Sequence, residues 1–192
     1  KRFNSRLNLE HKISDKLKIG ENISLTYSNN RRSLNDNVYT GTVTNAIGAS
    51  PLMPVYDEDG AFANFEDYQA SWLSDNPVLS TEEIIPFTKS NRALASIFGE
   101  YQLAPGLKFR STWSVDFTYL TDDLYFSPIT TDAEGVGGKA TNSTYSQRVW
   151  LGENILSYDK YFTNDHALNV IGGFTLQESS SDYLSISGQG FP

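Results

Sequence analysis

The stretch that decides the fold is residues 2–27, RFNSRLNLEHKISDKLKIGENISLTY. On both sides of a short break at residues 14–16, polar or charged side chains fill most even positions. Apolar side chains dominate the odd positions, namely Phe3, Leu7, Leu9, Ile13, Leu17, Ile19, Ile23, Leu25 and Tyr27. Successive side chains of a β-strand point to opposite faces, so this alternation predicts a hairpin with one apolar face and one polar face.

The length of these runs separates them from ordinary soluble strands. Each run has about a dozen residues, whereas a typical soluble strand has about five or six, and a tilted strand crosses a bilayer in about 9–11. The same alternation returns in residues 107–119 and 166–176. The polar faces carry too many charges for a sealed core, and they fit a wide, water-filled or plugged lumen.

Two further segments show a weaker pattern. Residues 92–103 predict a strand in which Phe98 lies on the polar side, and in residues 145–158 the odd and even positions compete, so that the facing stays open. The predicted strands lie near residues 2–13, 17–28, 92–103, 107–119, 145–159 and 166–178.

Short and long connections alternate along the chain. Brief joints at residues 14–16, 104–106 and 162–165 predict hairpin turns, and long loops lie near residues 29–91 and 120–144. Outer-membrane barrels have short periplasmic turns and long extracellular loops. The sequence therefore predicts an all-β fold, a segment of an antiparallel up-and-down transmembrane β-barrel that occupies residues 1–192 as one partial barrel domain.

Composition narrows the class further. The net charge is −8, and residues 33–88 contain nine acidic residues and no Lys or Arg, so the acidity is local and nucleic acid is not expected as a partner. The chain has no cysteine, so neither a disulfide nor a thiolate metal site is predicted. It has no apolar run of about 18 residues, so no helical membrane span is predicted. Because the smallest known barrels have about eight strands, about six strands indicate a piece of a larger barrel.

Several stretches, in this order along the chain, carry a family resemblance. They are Arg2-Phe3-Asn4-Ser5-Arg6-Leu7-Asn8-Leu9, Leu17-Lys18-Ile19-Gly20, Ser50-Pro51-Leu52-Met53-Pro54-Val55-Tyr56-Asp57-Glu58-Asp59-Gly60, Asn76-Pro77, Gly106-Leu107-Lys108-Phe109-Arg110-Ser111, Glu153-Asn154-Ile155-Leu156-Ser157-Tyr158, and His166 followed by Gly172-Gly173-Phe174. The ordered set resembles the SusC/RagA-type TonB-linked outer-membrane transporters of the Bacteroidetes.

This resemblance implies a large barrel with an N-terminal plug in the bacterial outer membrane. It further implies a SusD-like surface lipoprotein as partner, energy supplied through TonB by a part that is not in this sequence, and import of oligosaccharides or peptides. The chain itself would be barrel wall in contact with outer-membrane lipid.

Enzyme and metal chemistry have little support in the sequence. No Gly-x-Ser-x-Gly elbow is present, and His11 and His166 lie near short turns, so no catalytic residue, metal site or cofactor is predicted. Asp57, Asp59, Gly60 and Glu66 match part of a calcium loop, but Val55 stands where the first acidic ligand is required. A tight turn with Gly60 at positive φ is the favoured interpretation.

Loop aromatic residues are the candidate contacts for a ligand or a partner. We select Tyr56, Tyr68, Trp72, Tyr125 and Phe126, which either stack on a sugar or a partner protein or pack locally within the loops. Tyr68 and Trp72 share an i, i+4 spacing, which predicts a short helix between Phe65 and Leu73.

Three other functional interpretations stay open from the residues alone. The chain is compatible with a non-energised outer-membrane barrel or surface-binding protein, and with a soluble β-sheet binding domain. An outer-membrane enzyme ranks last because no site for it is present in the sequence.

Overall fold

The computed structural model describes residues 1–34, 41–64, 76–163 and 166–191. Within these residues the strands are β1 (Arg2–Lys12), β2 (Leu17–Arg31), β3 (Ile84–Ala104), β4 (Leu107–Phe126), β5 (Gly138–Thr163) and β6 (His166–Phe191). Two short helices, α1 (Thr42–Gly48) and α2 (Pro77–Glu82), lie between β2 and β3. No helix in the described ranges is both long and apolar enough to cross a membrane.

The strands form one antiparallel sheet in the order β1-β2-β3-β4-β5-β6. Each strand therefore pairs with its neighbour in sequence, and the sheet of this chain is not closed. The predicted up-and-down β fold class is confirmed.

The first hairpin has the register that the alternation requires. Phe3 pairs with Tyr27 and Leu7 with Ile23, while Arg6 pairs with Ser24. Odd residues face odd residues and even residues face even residues, so the apolar and polar sets stay on separate faces. The rings of Phe3 and Tyr27 stack with centroids 6.3 Å apart, a cross-strand pairing that stabilises the register.

Four strands extend beyond the segments in which the sequence alternates. β3 begins at Ile84 rather than near residue 92, β4 continues to Phe126, β5 starts at Gly138, and β6 reaches Phe191. Backbone pairing needs no apolar face, so a strand continues through polar sequence when a neighbouring strand supplies its hydrogen bonds. Between β5 and β6 the hydroxyls of Thr141 and Ser187 lie 2.9 Å apart, so the two strands are also in contact in this extension.

Two residues that the sequence assigns to a loop therefore lie in a strand. Tyr125 and Phe126 were expected in the loop near residues 120–144, and the structure places both at the end of β4. The prediction was wrong because the polar pair Asp122 and Asp123 interrupts the apolar alternation, whereas the backbone pairing of β4 continues through both residues.

The chain divides into two compact units. The first contains Lys1–Ser28, Ser90–Leu120 and Tyr145–Tyr183, and the second contains Asn29–Lys89, Thr121–Thr144 and Leu184–Pro192. The second unit has a small core of Ile84, Phe126 and Ala133, against which Leu34 and Leu124 pack.

The helices of the second unit contact each other through polar groups. The amide of Asn45 in α1 donates a hydrogen bond of 3.4 Å to the Ser80 hydroxyl of α2. Asn76 caps α2 by accepting a 3.0 Å hydrogen bond from the Val78 amide, and Pro77 occupies the first helical position. An Asn-Pro pair is a recognised signal for a helix start, although we predicted only a loop here.

Phe98 lies on the polar side of the first unit, as its even position predicts. Its side chain is only 8% exposed because the ring fills the space above Gly20 of β2, where an added Cβ would lie 2.3 Å from the ring. The guanidinium of Arg110 covers the ring at 4.0 Å from its centroid. An aromatic ring over a glycine restores contacts that the missing side chain would have made, so Phe98 is a structural part of a polar face.

We predict that Gly20→Val lowers the free energy of unfolding of the complete polypeptide by about 1–3 kcal/mol, because overpacking forces Phe98 away from its position. The measurement is denaturant unfolding of the detergent-purified protein. Gly99→Val is the control, since a Cβ at Gly99 meets no atom within 4 Å. Equal losses for both variants would contradict the assigned role of Phe98.

Candidate functional site

The apolar face of the first unit is its most extended surface feature. Large apolar side chains on it are strongly exposed, with Phe3 at 64%, Ile97 at 57% and Trp113 at 48%. Exposed apolar patches of this kind mark contact with a partner or a membrane. With Leu25 of β2, which is 50% exposed, they come from the successive strands β1 to β4 and keep the same odd parity, so they form a continuous face.

Contacts with β4 decide which way β5 faces. An added Cβ at Gly152 would lie 2.8 Å from the Trp113 ring, so Trp113 covers Gly152. The Ser111 hydroxyl donates a 2.8 Å hydrogen bond to the side-chain oxygen of Asn154. Even residues of β5 therefore share the apolar face with odd residues of β4, which places Trp150 and Leu156 on it.

The facing of β6 follows from its contact with β5. The Asn169 amide donates a hydrogen bond to the Asp159 carboxylate, so odd residues of β5 and β6 share the polar face. The even residues of β6 then lie on the apolar face, and they include Leu168, Val170, Phe174 and Leu176, each more than 40% exposed.

Polar side chains on the apolar face are hydrogen bonded to one another. The Trp113 indole donates to the Ser111 hydroxyl at 3.2 Å, and the hydroxyl in turn donates to Asn154, which is 9% exposed. A polar group without a partner is costly in an apolar environment. This short network allows Ser111 and Asn154 to lie among apolar neighbours.

The polar face of the first unit contains ion pairs between strands. Arg92 of β3 donates two hydrogen bonds to the Asp116 carboxylate of β4, one of them 2.9 Å long. Lys18 lies 2.7 Å from Glu10 on the neighbouring strand. Both partners of each pair are partly exposed, so this face is built for contact with water or with a polar partner.

In the second unit, a charged cluster holds the start of the first long loop. The Asp122 carboxylate of β4 accepts a hydrogen bond of 2.6 Å from Arg32 and another of 2.6 Å from the Thr88 hydroxyl of β3. The Arg32 amide also donates to the Pro86 carbonyl at 3.0 Å. Asp122 therefore ties the chain after β2 to two strands at once.

The first long loop presents the predicted tight turn. One Asp57 carboxylate oxygen accepts hydrogen bonds of 2.9 Å from the amides of Asp59 and Ala61, and Gly60 has φ of 84°. The turn brings the rings of Tyr56 and Phe62 to a centroid distance of 5.1 Å. The predicted turn is confirmed, and it presents Tyr56 with 48% of its surface exposed.

The five candidate aromatic residues do not form one cluster in the described residues. Tyr56 pairs with Phe62 in the loop, whereas Tyr125 is half-buried and Phe126 belongs to the core of the second unit. Tyr68, Trp72 and the helix expected between Phe65 and Leu73 lie outside the described residues. Among the described residues, no group of three or more His, Asp or Glu side chains is arranged to hold a metal ion.

Sequence comparison finds relatives among TonB-dependent receptors. The chain is 30% identical over 184 residues to TonB-dependent receptor P26 of Formosa agariphila, a match that covers 93% of this chain and 18% of the relative. TonB-dependent receptor P3 of the same organism is 28% identical over 195 residues, covering 94% of this chain and 18% of the relative. The chain thus spans about a fifth of the length of the curated relatives that it matches. No protein-family model matches the chain.

Structure comparison finds the same sheet in solved transporters. The RagAB peptide transporter matches with a TM-score of 0.78 at 22% identity, over 99% of this chain and 22% of the matched chain. The open-open state of the RagAB peptide importer matches with a TM-score of 0.76 at 20% identity, over 99% and 21% of the two chains. The predicted resemblance to SusC/RagA-type TonB-linked transporters and the predicted place in the bacterial outer membrane are confirmed.

We predict that Asp122→Ala releases the start of the first long loop, because Arg32 and Thr88 lose their shared acceptor. The Arg32 and Asp122 side chains are 44% and 32% exposed, so water replaces part of the lost interaction and the expected cost is about 0.5–1 kcal/mol. Limited thermolysin digestion of the complete polypeptide should then cut near Leu34 several-fold faster than in the unchanged protein.

Glu134→Ala is the matched control for that digestion. Glu134 is an exposed carboxylate of the second unit, and its removal should leave the cleavage rate near Leu34 unchanged. A similar rate for Asp122→Ala and the unchanged protein would show that Asp122 does not hold the loop.

Proposed function

We propose that residues 1–192 form part of the barrel wall of a TonB-dependent outer-membrane nutrient transporter that imports oligosaccharides or peptides with a SusD-like lipoprotein. One observation carries this proposal, namely the opposite polarity of the two faces of one continuous set of strands. Trp113 and Phe3 lie on an exposed apolar face, while Arg92 and Asp116 form an ion pair on the other. A wall between lipid and an aqueous lumen requires that combination.

Strand length supports the same assignment. β5 and β6 have 26 residues each, well beyond the roughly 9–11 that a tilted strand needs to cross a bilayer. We assign the bilayer crossing to the apolar runs, such as residues 107–119 in β4. The polar continuations, such as residues 138–144 in β5, would then lie in water.

The long loops are proposed to face the outside of the cell, and the short turns the periplasm. Large barrels of the outer membrane keep this asymmetry. The acidic first loop and its exposed aromatic residue Tyr56 would contact the lipoprotein or the cargo. Tyr68, Trp72 and Tyr125 complete the proposed set, in which a ring supplies a large contact area and a polar tip. Phe126 is left out of the proposed contact, because it lies in the core of the second unit and is 8% exposed.

Energy coupling and cargo belong to the whole transporter. TonB would act through a part of the polypeptide outside these residues. The names of the relatives describe receptors, and those of the structural neighbours describe a peptide transporter or importer. These names support import of a large nutrient and give no support to catalysis, so we assign the chain no catalytic role.

The direct test is purification of the native polypeptide that contains these residues from outer membranes in mild detergent, followed by mass spectrometry. We expect a polypeptide several times longer than 192 residues and a co-purifying lipoprotein. Recovery of a soluble protein near 21 kDa without a membrane partner would overturn the proposal.

The contribution of Tyr56 is measured in the same experiment. Tyr56→Ala should reduce the yield of co-purified lipoprotein or bound cargo several-fold, because the exposed ring is lost from the loop. Tyr161→Ala is the control, since Tyr161 is 81% exposed near a short turn. Equal yields for both variants would exclude Tyr56 from the contact.

We predict that Val115→Arg hinders barrel assembly, whereas Ser114→Arg is tolerated. Val115 has the parity of the apolar face, and Arg near the bilayer midplane costs about 2–4 kcal/mol. Ser114 has the parity of the polar face and would meet water. Assembly is measured as the heat-modifiable folded fraction of the full-length protein on electrophoresis, and equal folded fractions would contradict the assigned faces.

A further inference from the structure

A small cavity lies in the second unit, next to the end of β2, the start of β3 and helix α2. Its volume is about 210 Å³. The polar part of its lining consists of Arg31, Arg32, Ser33, Thr42, Ser80 and Thr81, and none of the described residues that line it is acidic. A drug-sized ligand needs a pocket of about 300–1,000 Å³, so this cavity has room for one end group of a larger molecule.

The floor of the cavity is buried. Ser80 is 4% exposed, Ile84 is 2% exposed, and the side chain of Pro86 is fully buried. The Ser80 hydroxyl accepts a 3.4 Å hydrogen bond from the Asn45 amide, but in the described part of the chain its own hydrogen has no acceptor. A buried donor is costly unless a ligand or a water molecule accepts from it.

The two arginines of the lining differ in their partners. Arg32 is paired with Asp122, whose two carboxylate oxygens each lie 2.6 Å from its guanidinium. Arg31 donates a 2.7 Å hydrogen bond to the Thr81 carbonyl, and no carboxylate of the described residues lies within 4.0 Å of its guanidinium. A guanidinium has several N–H donors, so the charge of Arg31 and most of its donors are available to a ligand.

This lining supplies donors and one uncompensated positive charge, which together select the ligand chemistry. A carboxylate has a single negative charge and accepts two parallel hydrogen bonds from a guanidinium. A phosphate ester carries about −1.5 to −2 at neutral pH, which exceeds the charge of Arg31 and would be repelled by the nearby Asp122. A neutral group would leave the charge of Arg31 uncompensated.

We propose that this cavity binds a carboxylate end group of the imported cargo, held by the Arg31 guanidinium and the Ser80 hydroxyl. The inference rests on the proposed function and narrows its cargo to molecules that carry a carboxylate. Arg32, Ile84 and Pro86 are even-numbered, which is the parity of the polar face. In the proposed transporter this face borders the lumen, and the adjoining first long loop lies at its outer end, where cargo enters.

Protection of Arg31 from phenylglyoxal tests this proposal on the full-length receptor in detergent. The reagent condenses with an accessible guanidinium, and mass spectrometry after digestion gives the labelling rate of each arginine. The probes are millimolar N-acetylglycine and galacturonate, each compared with its neutral counterpart, N-acetylglycinamide or galactose, at equal ionic strength. We expect at least one carboxylate to slow the labelling of Arg31 several-fold, while its neutral counterpart leaves the rate unchanged.

The pattern of protection also identifies the source of the carboxylate. Protection by N-acetylglycine alone assigns the site to a peptide, and protection by galacturonate alone assigns it to an acidic sugar. Arg6 is the internal control, because it is an exposed arginine with the parity of the polar face in the first unit. Its labelling rate should be the same with every probe.

Ser80→Ala should weaken the protection of Arg31 several-fold, because the buried hydroxyl donor is lost. Ser185→Ala is the matched control, since Ser185 lies outside the cavity with its hydroxyl 2.8 Å from that of Ser143, and this variant should keep the protection. Equal labelling of Arg31 with charged and neutral probes, equal protection of Arg6, or full protection in Ser80→Ala would each overturn the proposal.

The same preparations separate this inference from the proposed function. A receptor that co-purifies with its lipoprotein but shows no protection of Arg31 contradicts the cavity assignment alone. Protection in a protein that is recovered as soluble, without a membrane partner, contradicts the transporter assignment and shows that the carboxylate site does not depend on a barrel.

Discussion

Every peptide group of a strand inside a bilayer must be hydrogen bonded within the protein, because hydrocarbon offers no partner. Within the described residues, β2 to β5 meet that requirement by pairing with both neighbours in sequence, whereas the edge strands β1 and β6 pair on one side. Once the register of a pair is set, alternation assigns every side chain to one of two faces. The apolar and polar faces and the ion pairs between strands all depend on this pairing.

Positions that break the alternation are explained by contacts between neighbouring strands. Phe98 lies on the polar face because Gly20 leaves room for its ring and Arg110 covers it. On the other face, Trp113 lies over Gly152. Beside this contact, the Ser111 hydroxyl and the Asn154 side-chain oxygen form a hydrogen bond with each other. In each case, a residue of unfavourable polarity or size is compensated by a partner one strand away.

Charge is distributed according to the same two faces. Arg92 with Asp116 and Lys18 with Glu10 connect adjacent strands of the polar face, whereas the first long loop carries acidic residues without a basic residue between positions 33 and 88. For the proposed transporter, the inner wall is thus cross-linked by ion pairs and the loops attract cationic or polar surfaces.

The sequence by itself determined the strands of residues 2–27 and 107–119, the up-and-down order, the turns at residues 14–16 and 104–106 and the Asp57–Gly60 turn, because alternation and turn chemistry are local properties. Only the tertiary structure decided the facing of β5, which follows from Trp113 over Gly152 and from Ser111 bonded to Asn154. It also decided the full length of β3 to β6 and the structural role of Phe98. These features depend on partners distant in sequence, since a strand edge or a missing side chain is completed by a neighbour that no local pattern identifies.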